Sequence, residues 1–175
     1  AGVREITLLG QTVNSYTDPS GALPKPKSGD ENRWVASRGA LSRQDETEFP
    51  ELLRLIAREV PELARLRYTS PHPRHLTSSL IRAHQELLVL CRHVHMPVQS
   101  GSDAQLKRMI RRYTAAEYIE RTDALKEAVP GLTMSNDVIV SFTGEPAADF
   151  EATVDLVRRV GFVSLFGFKY SQRPF

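Results

Sequence analysis

Apolar and polar positions alternate along this chain with two different periods. Short apolar runs at residues 6–9, 66–69, 94–98, 138–140 and 162–170 are each closed by glycine, proline or small polar residues, which predicts five strands. The run at 6–9 reads as a buried strand. Between the runs the spacing lengthens to that of a helix. Phe49, Leu52, Leu53, Ile56 and Val60 fall on one face of a helix opened by Thr47 or Glu48, with Pro50 tolerated in its first turn. Leu80, Ile81, His84, Leu87, Leu88 and Cys91 line a second helix. Leu106, Met109, Ile110 and Tyr113 line a third, capped by Ser102. Thr114 and Glu117 form a capping box for a fourth, bearing Tyr118, Ile119 and Leu125, and a fifth starts at Pro146 with Phe150, Val154, Val157 and Val160 inward. Strands alternating with helices imply right-handed βαβ crossovers, hence an α/β fold with a parallel sheet or partial barrel.

One segment breaks the pattern. From residue 17 to 46 prolines, glycines and charges dominate without periodicity and carry the only tryptophan, Trp34, so an irregular or disordered insert is expected there.

Composition narrows the picture only modestly. At 175 residues with 41% hydrophobic content the chain can build one packed domain. A net charge of +2 gives no global argument for a polyanionic partner. No apolar run approaches the roughly 18 residues of a membrane span. The single cysteine, Cys91, rules out an internal disulfide and a multi-thiolate site made by this chain alone, and its place in a helical pattern reads as a buried thiol. The N-terminus enters a strand at once without methionine, so the chain is read as part of something longer.

The polar residues that close each strand are the candidate chemistry. They are Gln11 and Asn14, His72 and Arg74, Gln99 and Ser100, Gly144 and Glu145, and Ser171 and Arg173. In parallel α/β folds the carboxyl ends of strands are where ligands bind, and five junctions repeating the pattern point to an enzyme-like rim. The plainer alternative is that every strand-to-helix loop is polar. Within 95–102, Gly101 permits a sharp turn or a close approach, and Gln99 and Ser100 sit at a strand end. Lys107, Arg108, Arg111 and Arg112 follow on one helix, where they read equally as phosphate contacts or as a solvated face. His84, on an apolar face, reads as a satisfied core histidine. His93 and His95 alternate along a strand without further ligands, which is weak support for a metal.

The blocks Gly10-Gln11-Thr12-Val13-Asn14-Ser15-Tyr16, Thr69-Ser70-Pro71-His72-Pro73, His95-Met96-Pro97-Val98-Gln99-Ser100-Gly101-Ser102, Asn136-Asp137-Val138-Ile139-Val140 with Gly144-Glu145, and Lys169-Tyr170-Ser171-Gln172-Arg173 occur together and in order. In these the chain resembles the radical-SAM methylthiotransferases, most closely the branch acting on tRNA adenosine. The resemblance implies a partial (β/α) TIM-like barrel with about five of six strands present, S-adenosylmethionine as cofactor, and 4Fe-4S clusters. It implies transfer of a methylthio group to carbon 2 of an isopentenylated adenosine beside the anticodon. The tRNA anticodon stem-loop would be the partner and flavodoxin or ferredoxin the reductant, in a monomeric cytoplasmic protein. In the family three cysteines after the first barrel strand hold the cluster; none is in this chain, so metal ligands, the sulfur-donor domain and the C-terminal RNA-binding domain are expected outside 1–175, and the chain alone is expected to be inactive.

Carried over position by position, the resemblance places Gln11 toward the methionine amino group of the cofactor. It places Ser70, His72, Gln99 and Ser100 where cofactor and target base meet, and Asp137 and Glu145 beside the adenine. Asn14, Arg74, Arg111, Arg112 and Arg173 then fall to the RNA. Three departures stand out: Ser141-Phe142-Thr143 where Gly-Phe-Pro is usual, Arg173-Pro174-Phe175 where Gly-Thr is common, and the long insert. Two rivals are a methylthiotransferase acting on an aspartate of a ribosomal protein and a non-catalytic truncated barrel that binds RNA or protein.

Overall fold

In a computed structural model, residues 2–25 and 46–172 are described. Five strands alternate with helices in chain order: β1 Glu5–Leu8, α1 Phe49–Glu59, β2 Arg65–Tyr68, α2 Ser78–Glu86, β3 His93–His95, α3 Asp103–Arg108, α4 Ala115–Ala128, β4 Thr133–Val140, α5 Ala147–Val160 and β5 Ser164–Lys169. All strand pairs are parallel: β1 with β2, and β3 with β4 and β4 with β5. A bridge from Leu66 to Leu90 ties the two groups together, and a second from Gln99 to Val138 prolongs β3 along β4. This is the arc of a partial barrel, with helices along one face.

The core lies between that arc and the helices. Leu66, Val94, Met96, Val98 and Met134 from the strands meet Phe49, Leu53, Leu80, Ile81, Leu106, Tyr118 and Leu125 from the helices. Strand side chains alternate, so the next residues along face the other way. There Glu5 pairs with Arg65 at 2.5 Å and Arg67 at 2.7 Å, and His93 and His95 bond Ser135 Oγ at 3.1 and 2.9 Å. The inner face of the arc is therefore polar.

Local rules account for the helix starts. Thr114 and Glu117 form the capping box, Ser102 Oγ accepts from Gln105 N–H at 3.4 Å, and Pro50 sits in the first turn of α1. His84 is a buried core residue, its Nε2 2.6 Å from the Tyr68 hydroxyl.

The structure corrects four expectations about the elements. β1 is not buried but alternates exposed and half-buried positions. Helix α2 stops at Glu86, so Leu88 is 90% exposed and Cys91 lies outside any helix, half-buried, with its N–H donated to Leu66 O at 3.1 Å. Helix α3 stops at Arg108, and Ile110 turns outward. Phe150 on α5 and the whole of β5 are exposed, because no described element covers that end of the arc. Most of the 17–46 insert, Trp34 included, lies outside the described residues. Its first part is held by Asp18, whose carboxylate accepts from Leu23 N–H at 2.8 Å and Ser20 N–H at 2.9 Å. Among the described residues no helix is long and apolar enough to cross a membrane.

Burial gives the fold an acid lability. It lowers His84 to about 4, against about 6.5 in an unfolded chain. Below its unfolded value the denatured chain takes the proton and the folded one does not. The stability His84 contributes is thus complete above about pH 6.5 and is lost as pH falls toward 4, on the order of 3 kcal/mol in all. Denaturant titrations of the full-length apoprotein at pH 7.5 and 4.5 are expected to show a smaller acid loss in His84→Gln than in wild type. Equal losses would remove His84 from the account.

Candidate functional site

Of the five non-glycine residues in left-handed backbone among the described residues, four fall one each in the loops after β1 to β4, the fifth being Ile110 at the end of α3. The four are Thr12 (φ 58°), Ser70 (φ 55°), Gln99 (φ 75°) and Ser141 (φ 58°). Each such residue costs about 1–3 kcal/mol, and strain of this kind survives only where the surroundings enforce it. Here it marks the carboxyl ends of successive parallel strands, the position where α/β sheets bind ligands.

A layer of non-local hydrogen bonds enforces it. The Asn14 amide, fully buried, spans the first two loops: its Nδ2 donates to His72 O at 3.0 Å and its Oδ1 accepts from His72 N–H at 2.7 Å. Arg121, buried in α4, donates to the carbonyls of Pro73 at 3.1 Å and of Arg74, fixing the turn Pro73–His75. Past β3, Pro97 has no N–H to offer a ladder. Asn136 Oδ1 takes Val98 N–H at 2.7 Å instead, and the hydroxyls of Tyr118 and Tyr113 donate to the Met96 and Val98 carbonyls at 2.7 and 2.9 Å. Gln99 is then pinned through its backbone, donating to Asp137 O at 3.0 Å and accepting from Ile139 N–H at 2.8 Å.

These bonds sort the residues read from sequence. Ser100 is fully buried, 3.2 Å from the hydroxyl of Thr153, which also accepts from Gly101 N–H at 2.9 Å; it braces the loop against α5 and does not reach the rim. Asn14 likewise spends its amide on backbone and presents nothing to a substrate. Gln11 and Ser70 are exposed at the rim. Gln99 is half-buried, and its side-chain amide makes no hydrogen bond among the described residues. Asp137 lies on the inner face, 3.4 Å from His95 Nε2. Glu145 closes its own loop by accepting from Ser141 N–H at 2.5 Å, while its other oxygen is buried without a partner.

Of the basic residues, Arg108 is committed to the Thr143 and Gly144 carbonyls at 3.1 and 2.6 Å. Lys107 and Arg112 are exposed and Arg74 and Arg111 half-buried. Arg173 lies outside the described residues. His72 is held neutral: burial, with His75, Arg111, Arg74 and Arg121 nearby, lowers it to about 4. Its Nδ1 accepts from Arg74 N–H at 3.2 Å, which leaves the proton on Nε2.

Sequence reasoning missed Arg121, Thr153, Asn136 and the two tyrosine hydroxyls. Arg121 had left a signal, a charge three residues from Tyr118 and four from Leu125 on the inward face of α4. The others are bonds across 15 to 53 residues of chain, which no local pattern reveals.

The donor set discriminates between the groups implied by the resemblance. A 4Fe-4S cluster takes thiolates, and Cys91 is one thiol located ahead of β3, at the opposite end of the strands from the rim; no cluster of three or more His, Cys, Asp and Glu suited to a metal occurs among the described residues. These residues do not fit an iron–sulfur cluster. They do fit S-adenosylmethionine, an amphoteric ligand with amino, carboxylate and nucleoside groups, through the unengaged Gln99 amide, the exposed Gln11 and Ser70, and the orphaned Glu145 oxygen.

Comparison with known proteins agrees. Residues 1–157 match the model of the Radical SAM superfamily. Over 174 residues the chain is 66% identical to a tRNA-2-methylthio-N(6)-dimethylallyladenosine synthase of Sorangium cellulosum (strain So ce56), covering 99% of this chain and 33% of that protein. Proteins of the same name from Acidithiobacillus ferrooxidans (strain ATCC 53993 / BNL-5-31) and Geobacter sulfurreducens (strain ATCC 51573 / DSM 12127 / PCA) are 46% and 43% identical over 173 residues, 99% of this chain and 34% and 33% of theirs. The chain thus spans about a third of the length of the curated relatives it matches. The parallel arc, its strained strand ends and the match over nine-tenths of its length together show that the chain belongs to the radical SAM superfamily.

Proposed function

We propose that this chain is the central barrel segment of a tRNA methylthiotransferase that places a methylthio group on carbon 2 of N6-dimethylallyladenosine beside the anticodon. The observation that supports this most is Gln99: an unengaged amide held in left-handed backbone at the carboxyl end of β3, in a chain 66% identical to a synthase named for that product. S-adenosylmethionine, held by Gln11, Ser70, Gln99 and Glu145, would supply together with a 4Fe-4S cluster the chemistry of hydrogen-atom abstraction.

The chain's own residues position rather than titrate. Carbon-centred radicals need fixed distances and exclusion of side reactions more than an acid or base. Gln11, Ser70 and Gln99 offer hydrogen bonds at the ends of three adjacent strands, with Asp137 and Glu145 beside the fourth. His72 at about 4 is uncharged at neutral pH and offers a neutral N–H. Arg74, Arg112 and Arg173 serve RNA phosphates. A flavodoxin or ferredoxin as electron donor, a monomeric state and a cytoplasmic location belong to the same reading.

The test uses the full-length protein, reconstituted anaerobically with iron and sulfide and given S-adenosylmethionine, dithionite and an isopentenylated anticodon stem-loop. Mass spectrometry is expected to find 5′-deoxyadenosine and a 2-methylthio nucleoside in the RNA. Absence of deoxyadenosine above background would end the enzyme reading, and deoxyadenosine without modified RNA would end the substrate assignment.

A further inference from the structure

A row of polar side chains runs up the inner face of the arc, from the start of β4 to the site, where parallel strands ordinarily carry aliphatic residues. His93 Nδ1 lies 2.9 Å from the Thr133 hydroxyl and its Nε2 lies 3.1 Å from Ser135 Oγ. The same Ser135 Oγ is 2.9 Å from His95 Nδ1, and His95 Nε2 is 3.4 Å from Asp137 Oδ2. Residues 93 and 95 of β3 thus interleave with 133, 135 and 137 of β4 on one face. The last group reaches the site. The Asp137 carbonyl accepts Gln99 N–H at 3.0 Å, and Asp137 stands opposite Phe166 in the register of β4 and β5.

Proton counting fixes the direction of the row. The Ser135 hydroxyl holds one proton between two imidazoles, so it donates to one ring and accepts from the other. Burial, with Arg67 and His95 nearby, lowers His93 below its ordinary value, so at neutral pH that ring has one N–H and one bare nitrogen. The carboxylate at the top only accepts. One assignment satisfies every contact: the Thr133 hydroxyl donates to His93 Nδ1, His93 Nε2–H to Ser135 Oγ, the Ser135 hydroxyl to His95 Nδ1, and His95 Nε2–H points to Asp137. Arg92 O, the other acceptor near Thr133 Oγ1 at 3.2 Å, already receives the Thr133 N–H at 2.9 Å. Phe166, edge-on to the His95 ring at 6.3 Å, packs against the imidazole in that orientation. The His95 and Asp137 side chains are each 25% exposed, and among the described residues the carboxylate has no partner besides His95. Held through one oxygen, it keeps the other as an acceptor in surroundings where a charge-assisted hydrogen bond is strong.

We propose that His95, fixed by Ser135 and His93, is a positioning residue that holds Asp137 to accept an exocyclic N–H of a bound 6-aminopurine. Adenine and N6-alkyladenine both carry that donor, so the cofactor and the target nucleoside are its two sources. The inference rests on the reading of Asp137 as a ligand contact and adds the row of side chains that aims it.

The test uses reconstituted full-length protein and measures affinity for S-adenosylmethionine and for the isopentenylated anticodon stem-loop, with melting temperatures alongside. Asp137→Asn and His95→Leu are each expected to weaken the same one of the two ligands about tenfold, and the double variant no more than Asp137→Asn alone, since His95 acts only through the carboxylate. His95→Gln, whose amide N–H stands in for Nε2–H, should recover most of the loss, which ring packing alone would not do. Ser135→Ala removes a single hydroxyl and serves should His95→Leu fail to fold; it is expected to weaken that ligand about threefold. A loss confined to S-adenosylmethionine assigns the N–H to the cofactor, and one confined to the stem-loop assigns it to the target base. A cofactor analogue with oxygen in place of the 6-amine, or a stem-loop with a doubly alkylated N6, should then lose the same factor in wild type and nothing in Asp137→Asn. The proposal is overturned if folded His95→Leu or Ser135→Ala binds both ligands like wild type while Asp137→Asn does not, if the double variant is additive, if the analogue loses equally in both proteins, or if both ligands weaken together, the mark of a disturbed sheet. Asp137→Asn with wild-type affinity for both ligands overturns the reading of Asp137 as a ligand contact. Wild-type protein with affinity for neither ligand overturns the proposed function, a failure distinct from these.

Discussion

Gly101→Ala is expected to destabilise the full-length protein by about 2–4 kcal/mol, a drop of roughly 4–16 °C in melting temperature. Gly101 is not in left-handed backbone, so the substitution carries no dihedral penalty, and stiffening the unfolded chain would by itself favour alanine by about 0.4–1 kcal/mol. Contact decides the sign. A Cβ at 101 would meet Thr153 Cα at 2.6 Å and press harder still on Ala152 O, and both are backbone atoms of α5 that cannot rotate aside. The helix would have to retreat, stretching the bonds from Gly101 N–H at 2.9 Å and Ser100 Oγ at 3.2 Å to the Thr153 hydroxyl. Thermal denaturation of the two proteins checks this. A drop under about 2 °C would show that the 99–102 loop and α5 separate freely, and with it would go the claim that Ser100 and Gly101 are braces.

That result bears on how far this protein could be read from its residues. The alternation of strands and helices, the Ser102 and Thr114 caps and the buried His84 were all legible, since each follows from spacing or from chemistry within a few residues. Helix ends were less so. The apolar spacing runs on through Leu87, Leu88 and Cys91, yet α2 stops at Glu86 because the chain at Leu90 pairs with Leu66 on the neighbouring strand, a tertiary preference that local periodicity does not contain. Likewise Leu106, Met109, Ile110 and Tyr113 share a helical stripe, but the left-handed turn at Ile110 ends it.

At the rim the assembled fold gives structural partners to some of the side chains read from sequence as ligand contacts. Asn14 and Ser100 are polar residues at strand ends, as a ligand contact would be, but their partners are His72, 58 residues on, and Thr153, 53 residues on. Only the assembled fold shows that their hydrogen bonds are already spent. Gln99 survives this sorting because its backbone is bonded on both sides and its side chain is not.

Gln99 therefore carries the account's central claim, that the carboxyl ends of these strands present groups to the cofactor and target base. Its left-handed backbone makes a discriminating substitution available. Gln99→Gly relieves a strain of about 1–2 kcal/mol and retains the backbone bonds to Asp137 and Ile139, so the variant should be at least as stable as wild type. It also deletes the unengaged Gln99 amide, and a lost positioning contact of this kind costs at least about tenfold in rate, roughly 1.4 kcal/mol. Gain in stability with loss of activity is the signature of strain kept for function, and a residue that merely shaped the loop would move both the same way. The decisive measurement is the rate of S-adenosylmethionine cleavage to 5′-deoxyadenosine by anaerobically reconstituted full-length Gln99→Gly and wild type, alongside their melting temperatures. The account predicts an unchanged or higher melting temperature with cleavage reduced tenfold or more; wild-type cleavage in a folded Gln99→Gly protein would contradict it.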